Sequence, residues 1–208
     1  MDKPLEIKSM NAHASTVAYY NHNQKRYFER THSRMDQAAL QEFCSRIPPG
    51  GKILDAGCGT GRDLRVFNRL GFQAEGFDAS SEMVSIARAQ SGCKVWQADV
   101  MLLSLPKESY DAVWAHGVLS HLPAPGCQRA MASFFAAMKP NGTLFVSIAE
   151  GEGQSEDRTD DPSGPARTIY RYRADDFASL IRQSGFQVVA QGRNPARPEL
   201  LAFIAKRI

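Results

Sequence analysis

Hydrophobic and polar positions along the chain alternate between amphipathic stretches and short apolar runs. Residues 1 to about 14 show no such pattern and are expected to be irregular. Ser15 to Arg30 places Tyr20, Tyr27 and Phe28 at helical spacing, and Asp36 to Ile47 does the same with Leu40, Phe43, Cys44 and Ile47. After the breaker run Pro48, Pro49, Gly50, Gly51, a first buried strand carries Ile53 and Leu54 and stops at Asp55. Leu64 to Leu70 reads as a helix closed by Gly71. Gln73 to Phe77 is a strand ending at Asp78, and Ser80 to Gln90 is a helix with Ser80 or Ser81 as its N-cap. Cys93 to Gln97 and Tyr110 to Ala115 are further strands, followed by a helix from Ala124 to Met138 that Pro140 stops. Gly142 to Ala149 is nearly all apolar, as befits a parallel strand covered on both faces.

The pattern then changes. Glu150 to Ala166 is rich in Gly, Ser, Asp, Glu and Pro, which predicts a long flexible loop. Order resumes at Arg167 to Arg173, followed by a helix over Ala174 to Ser184 that ends at Gly185. Phe186 to Gln191 and Leu200 to Ala205 form closing strands, with Asn194-Pro195 and Arg197-Pro198 as breakers between them. Strand–helix alternation predicts a doubly wound α/β sheet with right-handed crossovers. A single domain is expected: a helical cap over 1–49, a ligand-binding half over 50–149, and a substrate-side loop, helix and strands over 150–208. In such sheets ligands bind beyond the carboxyl ends of the central strands.

That rule directs attention to K-I-L-D-A-G-C-G-T-G-R-D, Lys52 to Asp63. Gly57, Gly59 and Gly61 alternate behind Asp55, between a strand and a helix N-terminus whose N–H groups lack partners. Glycine leaves room for a ligand against the backbone and tolerates positive φ. Asp78 lies 21 positions after Gly57, the interval at which an acid ending the second strand reaches a nucleoside ribose. Asp99, beside Val100, follows the third strand, where a carboxylate can accept from an adenine amino group. Dinucleotide folds need a small residue where this chain has Arg62, and no G-K-[ST] follows, so neither that motif nor a P-loop fits.

Bulk composition narrows the partners. Among 208 residues, 43% are hydrophobic and 23% charged, as in an ordinary soluble globular protein. The formal net charge of +3, without a basic block, argues against nucleic acid. No apolar run reaches the roughly 18 residues of a membrane span, and Met1 to Ala14 has no apolar core of a secretory signal. Cys44, Cys58, Cys93 and Cys127 are far apart without a C-x-x-C pair, which predicts reduced thiols in a cytoplasm. His13, His22 and His32 lack ligand spacing, so no metal site is expected.

Taken together, I-L-D-A-G-C-G-T-G-R-D, G-F-D-A-S, Q-A-D-V, Y-D-A-V-W-A-H-G-V-L-S-H-L-P and M-K-P-N-G-T-L-F-V-S resemble the successive motifs of class I S-adenosylmethionine-dependent methyltransferases. Y-Y-N-H-N-Q-K-R-Y-F-E-R-T and R-T-I-Y-R-Y-R are similar to a small-molecule group within that class, the tellurite-resistance-type methyltransferases. The resemblance implies a mostly parallel seven-stranded sheet with an antiparallel last strand, and N-terminal helices covering the cofactor cleft. It also implies site residues. Gly57, Cys58 and Gly59 would line the methionine part of S-adenosylmethionine, Asp55 would bind its ammonium, and Arg62 would pair with its carboxylate. Asp78 would hold the ribose, with Ala79 and Met83 against the adenine and Ala98, Asp99 and Val100 framing its edge. Ala115, His116 and Gly117 would lie beside the methionine moiety, with Tyr20 or Tyr27 closing over it. His116 stands where similar chains carry a small residue or an asparagine; cofactor contact, substrate group and structural variant are all open readings.

The implied reaction is in-line methyl transfer to a small-molecule acceptor, by a monomer or homodimer. A base is needed only if that acceptor must lose a proton, and His116 and His121 are the candidates. The Glu150 to Ala166 loop is placed to close over the acceptor, with Arg167, Tyr170, Arg171 and Tyr172 lining that side. Two other functions are alternatives: a cofactor-binding partner module without transferase activity, and an NAD-type oxidoreductase, which shares the sheet but which Arg62 and the glycine spacing argue against.

Overall fold

A computed structural model of the protein describes residues 3–194 and 197–208, with side chains from residue 10 onward. The N-terminal segment expected to be irregular is helical: α1 runs without a break over Lys3–Thr31. Only part of its length carries aromatic side chains, which is why an apolar pattern showed its second half alone. Next comes α2 (Gln37–Cys44), which begins where the Asp36 side chain accepts from Ala39 N–H at 3.1 Å.

Three parallel strands and their helices then follow in the expected order: β1 (Lys52–Ala56), α3 (Arg62–Arg69), β2 (Gln73–Asp78), α4 (Ser81–Ser91) and β3 (Lys94–Gln97). Ser80 is the N-cap of α4, its hydroxyl accepting from Met83 N–H. The second half consists of β4 (Tyr110–His116), a 3-10 turn at Val118–His121, α5 (Ala124–Ala137) and β5 (Met138–Glu150). After these come β6 (Gln154–Asp157), β7 (Arg167–Tyr172), α6 (Ala174–Gln183), β8 (Phe186–Asn194) and β9 (Arg197–Arg207). The Asn194-Pro195 breaker falls partly outside the described residues; Asn194 pairs with Arg197 across it.

Among the described residues the sheet has nine strands. Seven of them, in the order β3-β2-β1-β4-β5-β9-β8, make the expected mixed sheet, with β9 antiparallel to both neighbours. The other two are a departure. The stretch from Glu150 to Ala166 is not simply a loop, because Gln154–Asp157 pairs antiparallel with Arg167–Tyr170 of β7 to form a hairpin. Alternating polar residues with few apolar ones make such a strand indistinguishable from loop by composition. This hairpin continues the sheet where β4 stops. β4 pairs with β5 only as far as His116↔Ser147, and β7 then joins β5 at Ala149↔Arg171 and Glu150↔Tyr172.

Strand pleating sorts side chains onto two faces. Ile53, Ala112, Trp114, Phe145 and Ile204 face Leu40 and Phe43 of α2 and Phe67 of α3. Leu54, Ala56, Val113, Ala115, Leu144 and Val146 face α5 and α6, through Met131, Phe134, Phe177 and Ile181. With both faces covered, polar groups have one exit, at the carboxyl ends of the strands.

Candidate functional site

At those strand ends lies a cavity of about 770 Å³, lined from β1, β2, β4, the 3-10 turn, α1 and β7. The glycine turn forms its floor. Gly57, Gly59 and Gly61 have φ of 70°, 52° and 77°. Their reasons for being glycine differ. A Cβ on Gly57 would stand 2.6 Å from Val118, and one on Gly61 2.9 Å from the Ala87 backbone, so both are demanded by packing. On Gly59 a Cβ would project into the cavity, meeting only Tyr27 at 3.9 Å. Gly59 is therefore the position where an open approach to backbone is kept.

Asp78 is bound to this turn. Its Oδ2 accepts from Gly59 N–H and its Oδ1 from Ser80 N–H, each at 2.9 Å. Each oxygen retains acceptor capacity toward the cavity, which is what a pair of vicinal hydroxyls requires. Burial pushes the Asp78 carboxyl up, and the Ser80, Gly59 and Ala79 backbone donors partly offset it. Asp55 is 2% exposed; burial, then the charges of Asp63 and Asp78, raise its carboxyl well above the usual range despite Arg62. Burial alone would raise Asp63 too, yet Arg62 at 2.7 and 2.8 Å and the Trp114 indole N–H at 2.9 Å hold it below the usual range. Three carboxyls thus share one guanidinium. With one cation among three carboxyls, this end of the cavity is short of positive charge and suits a cationic ligand.

Not every expected residue lies on the cavity wall. Tyr20, Tyr27, Asp55, Gly57, Cys58, Gly59, Arg62, Asp78, Ala79, Ala98, Val100, His116 and Gly117 line it. Met83 and Ala115 are fully buried and do not, Ala115 because the β4 pleat points it at α5 and α6. Asp99 is also off the wall, its Oδ2 joined to His13 Nε2 and its Oδ1 accepting from Met101 N–H, both at 2.9 Å. Arg62 turns Nε and Nη2 onto Asp63, which leaves Nη1 to meet a ligand carboxylate. On β7, Arg167, Ile169 and Arg171 face the cavity, whereas Tyr170 and Tyr172 are absent from its lining by the same period-two rule. The Tyr172 hydroxyl donates instead to Leu122 O at 2.5 Å, and its ring packs on Phe177.

The two histidines have separate surroundings. His116 lies parallel to Trp114 and Phe145, at centroid separations of 5.8 and 6.0 Å, with Nδ1 buried and unpartnered. Burial and Arg62 pull it down to about 4 against the opposing charge of Asp63. His121 is fully engaged. Its Nδ1 is 2.7 Å from Thr168 O, and a carbonyl only accepts, so the hydrogen resides on Nδ1. Nε2 is then an acceptor and takes the Tyr20 hydroxyl hydrogen at 2.8 Å. Tyr20 Oη in turn accepts from Arg167 Nη1 at 3.0 Å, and Arg167 clasps Asp157 Oδ2 through Nε and Nη2 at 3.0 and 2.6 Å. Burial, with Arg167 nearby, pulls His121 down to about 4, so the ring is neutral.

Helix α1 contributes more than its tyrosines. His13, Thr16, Val17, Tyr20, Tyr27 and Arg30 all line the cavity and recur at helical spacing. The signal was present as a mixed polar stripe, which a search for apolar periodicity passes over. The helix is held to the hairpin by Ser15 Oγ donating to Ala166 O at 2.7 Å and Thr168 N–H donating to Thr16 Oγ1 at 3.0 Å. Among the described residues no group of three or more His, Cys, Asp or Glu could hold a metal ion, and no helix is long and apolar enough to cross a membrane.

A seven-strand order of 3-2-1-4-5-9-8, a glycine turn at β1 and an acid at the end of β2 define a Rossmann-like nucleoside-binding domain. Comparison with known proteins is more specific: the methyltransferase domain family matches residues 20–191, and the chain belongs to that family. Over 121 residues it is 38% identical to the ubiquinone biosynthesis O-methyltransferase of Xanthomonas campestris pv. campestris (strain B100), covering 54% of this chain and 49% of that one. It is 28% identical over 139 residues to the "Probable tRNA methyltransferase 9B" of Homo sapiens, covering 66% of this chain and 28% of that one. The chain thus spans about half the length, or less, of these relatives. Among solved structures, Burkholderia thailandensis 1,6-didemethyltoxoflavin-N1-methyltransferase, with bound 1,6-didemethyltoxoflavin and S-adenosylhomocysteine, superposes with a TM-score of 0.75 at 19% identity. That superposition covers 100% of this chain and 91% of the other.

Proposed function

We propose that this chain binds S-adenosylmethionine in the cavity at the strand ends and transfers its methyl group to a small-molecule acceptor. The observation that carries the reading is Asp78, held at both oxygens by turn amides and opening onto a floor where three buried carboxyls share the single Arg62 guanidinium. S-adenosylmethionine, when bound, supplies a methyl group already activated on a positively charged sulfur.

The chain's own residues have the remaining work. Asp78 takes the ribose hydroxyls; Asp55 takes the ammonium, whose charge relieves the Asp55–Asp63–Asp78 cluster; Gly59 leaves the methionine part room to approach. Ala79, Ala98 and Val100 flank the base, and Tyr27 covers the turn above Gly59. With the donor activated, the protein's task is to align the acceptor and exclude water. Tyr20, Tyr27 and the β6–β7 hairpin do both by roofing the cavity.

A small acceptor fits the enclosed wall that α1 and the hairpin build, and the net charge of +3 offers little to a polyanion. The same two elements carry the Tyr-rich and Arg-Tyr segments similar to the tellurite-resistance-type group, so the acceptor side is where that kinship is expressed. The whole of 1–208 acts as one domain, as a monomer or homodimer in the cytoplasm, where its four free thiols stay reduced. Titration calorimetry with S-adenosylmethionine and with NAD tests the reading. Heat with the first alone is expected; heat with neither, or with NAD, would overturn it. Mass-spectrometric screening of metabolite pools for a methylated product then separates a transferase from a partner module.

A further inference from the structure

The geometry points to a second function for the cavity wall: Tyr20 and His121 form a proton relay that removes the hydrogen of a hydroxylated acceptor, which makes phenols and enols the substrate class. This rests on the methyltransferase reading and deepens it. Amines, thiolates and oxyanions arrive with an electron pair available, whereas a neutral hydroxyl must shed its hydrogen as it is methylated.

Three observations combine. First, the relay has a direction. His121 Nδ1–H is fixed on Thr168 O, so the lone pair of Nε2 points at the Tyr20 hydroxyl, 2.8 Å away. Second, Tyr20 is polarised to pass a hydrogen on. Arg167 donates to its oxygen at 3.0 Å while His121 accepts from it, leaving one lone pair of the phenol oxygen for an incoming hydrogen. Third, both residues line the cavity, and Tyr20 packs edge-on against Tyr27, which stands over Gly59. Tyr20 thus lies between the cofactor floor and the arginine-lined acceptor wall of β7.

The step balances. The acceptor O–H bond breaks and its hydrogen goes to Tyr20 Oη, while the hydrogen already on Tyr20 goes to His121 Nε2. The freed oxygen pair forms the new carbon–oxygen bond, and the electrons of the broken carbon–sulfur bond stay on sulfur. One positive charge leaves sulfur and one appears on imidazole. A ring drawn down to about 4 suffices, because a hydroxyl oxygen becomes strongly acidic as its bond to carbon forms.

The test uses paired acceptors of one skeleton, substituted phenols and the matching aryl thiols, which are already ionised at about pH 8. Tyr20→Phe and His121→Gln are each expected to lower kcat on phenols at least about 30-fold more than kcat on the matching thiols. Nitrogen-15 spectra of labelled histidine are expected to report His121 as the neutral Nδ1–H form, with Nε2 shifting in Tyr20→Phe. Equal losses on phenols and thiols would make Tyr20 a cofactor-positioning residue and overturn the relay, as would an Nε2–H tautomer. S-adenosylmethionine binding without methylation of any phenol would overturn the hydroxyl class alone. Absence of that binding would instead refute the underlying methyltransferase reading.

Discussion

Tyr19 Oη donates to Asp160 Oδ2 at 2.6 Å, joining the N-terminal helix to the hairpin connection 141 residues later. Arg30 adds two bonds to the same carboxylate, at 2.8 and 2.9 Å, and Arg26 Nη1 donates to its backbone oxygen. The Asp160 side chain is 4% exposed, so this is a largely desolvated ion pair. Asp160→Ala leaves Arg30 and the phenol without their partner, at about 3 kcal/mol. Limited proteolysis is expected to cut within 150–166 much faster in this variant, and S-adenosylmethionine to slow the cut. Unchanged cleavage would mean that the hairpin is held independently of α1.

Asp78→Ala should weaken S-adenosylmethionine binding about 100-fold, equivalent to about 3 kcal/mol for two hydrogen bonds to a charged group. Asp78→Asn, which keeps one acceptor, should lose less. Calorimetric affinities close to the parent protein's would remove Asp78 from the ribose.

Substituting the glycines separates fold from binding. Alanine at Gly59 adds a methyl to open space, so only the left-handed strain of about 1–2 kcal/mol applies. Its melting temperature should fall by about 5 °C while S-adenosylmethionine affinity falls at least about tenfold. Alanine at Gly57 meets Val118 at 2.6 Å and should lower melting by about 10 °C or more. The reverse ranking of affinity and melting would undo the distinction.

The neutral histidines make stability pH-dependent. His116 and His121 are lowered from 6.5 to about 4, so between those values the unfolded chain binds protons that the folded chain refuses. Stability is then complete above the unfolded value and declines as pH falls from 6.5 toward 4. Around His121 the charged or titratable neighbours are Arg167, His13 and Asp157; around His116 they are Asp63, Arg62, Asp36 and Arg197. Each histidine should contribute about 1 kcal/mol of loss by pH 5.5. Thermal melts should show this, and His116→Phe should flatten the curve; equal melting at pH 5.5 and 7.5 would contradict both assignments.

Legibility in the sequence followed the physics of each signal. Gly57, Asp55 and Asp78 were readable because a strand end, a tight turn and a close approach each admit few residue types. Met83 was placed by the family resemblance and Asp99 by its position after a strand, and neither says which way a side chain turns: Met83 entered the core and Asp99 took His13. The cavity-facing positions of His13 and Thr16 were not legible, because a helix face that meets a ligand need not be apolar. Gln154–Asp157 looked like loop since a hairpin lying over a cavity has no buried face to pattern it. Tyr170 and Tyr172 would have been excluded by applying strand alternation to Arg167 and Arg171.

The hairpin pairs with the central sheet at Ala149↔Arg171 and Glu150↔Tyr172, and is fastened further by side chains of α1 and by His121 and Tyr172. None of the groups proposed to hold the nucleoside belongs to it. On the proposed reading, mutational drift in this appendage can therefore alter which molecule is accepted without touching the residues that hold the donor. Grafting a foreign hairpin between Glu150 and Arg173 is accordingly a direct route to retargeting the domain.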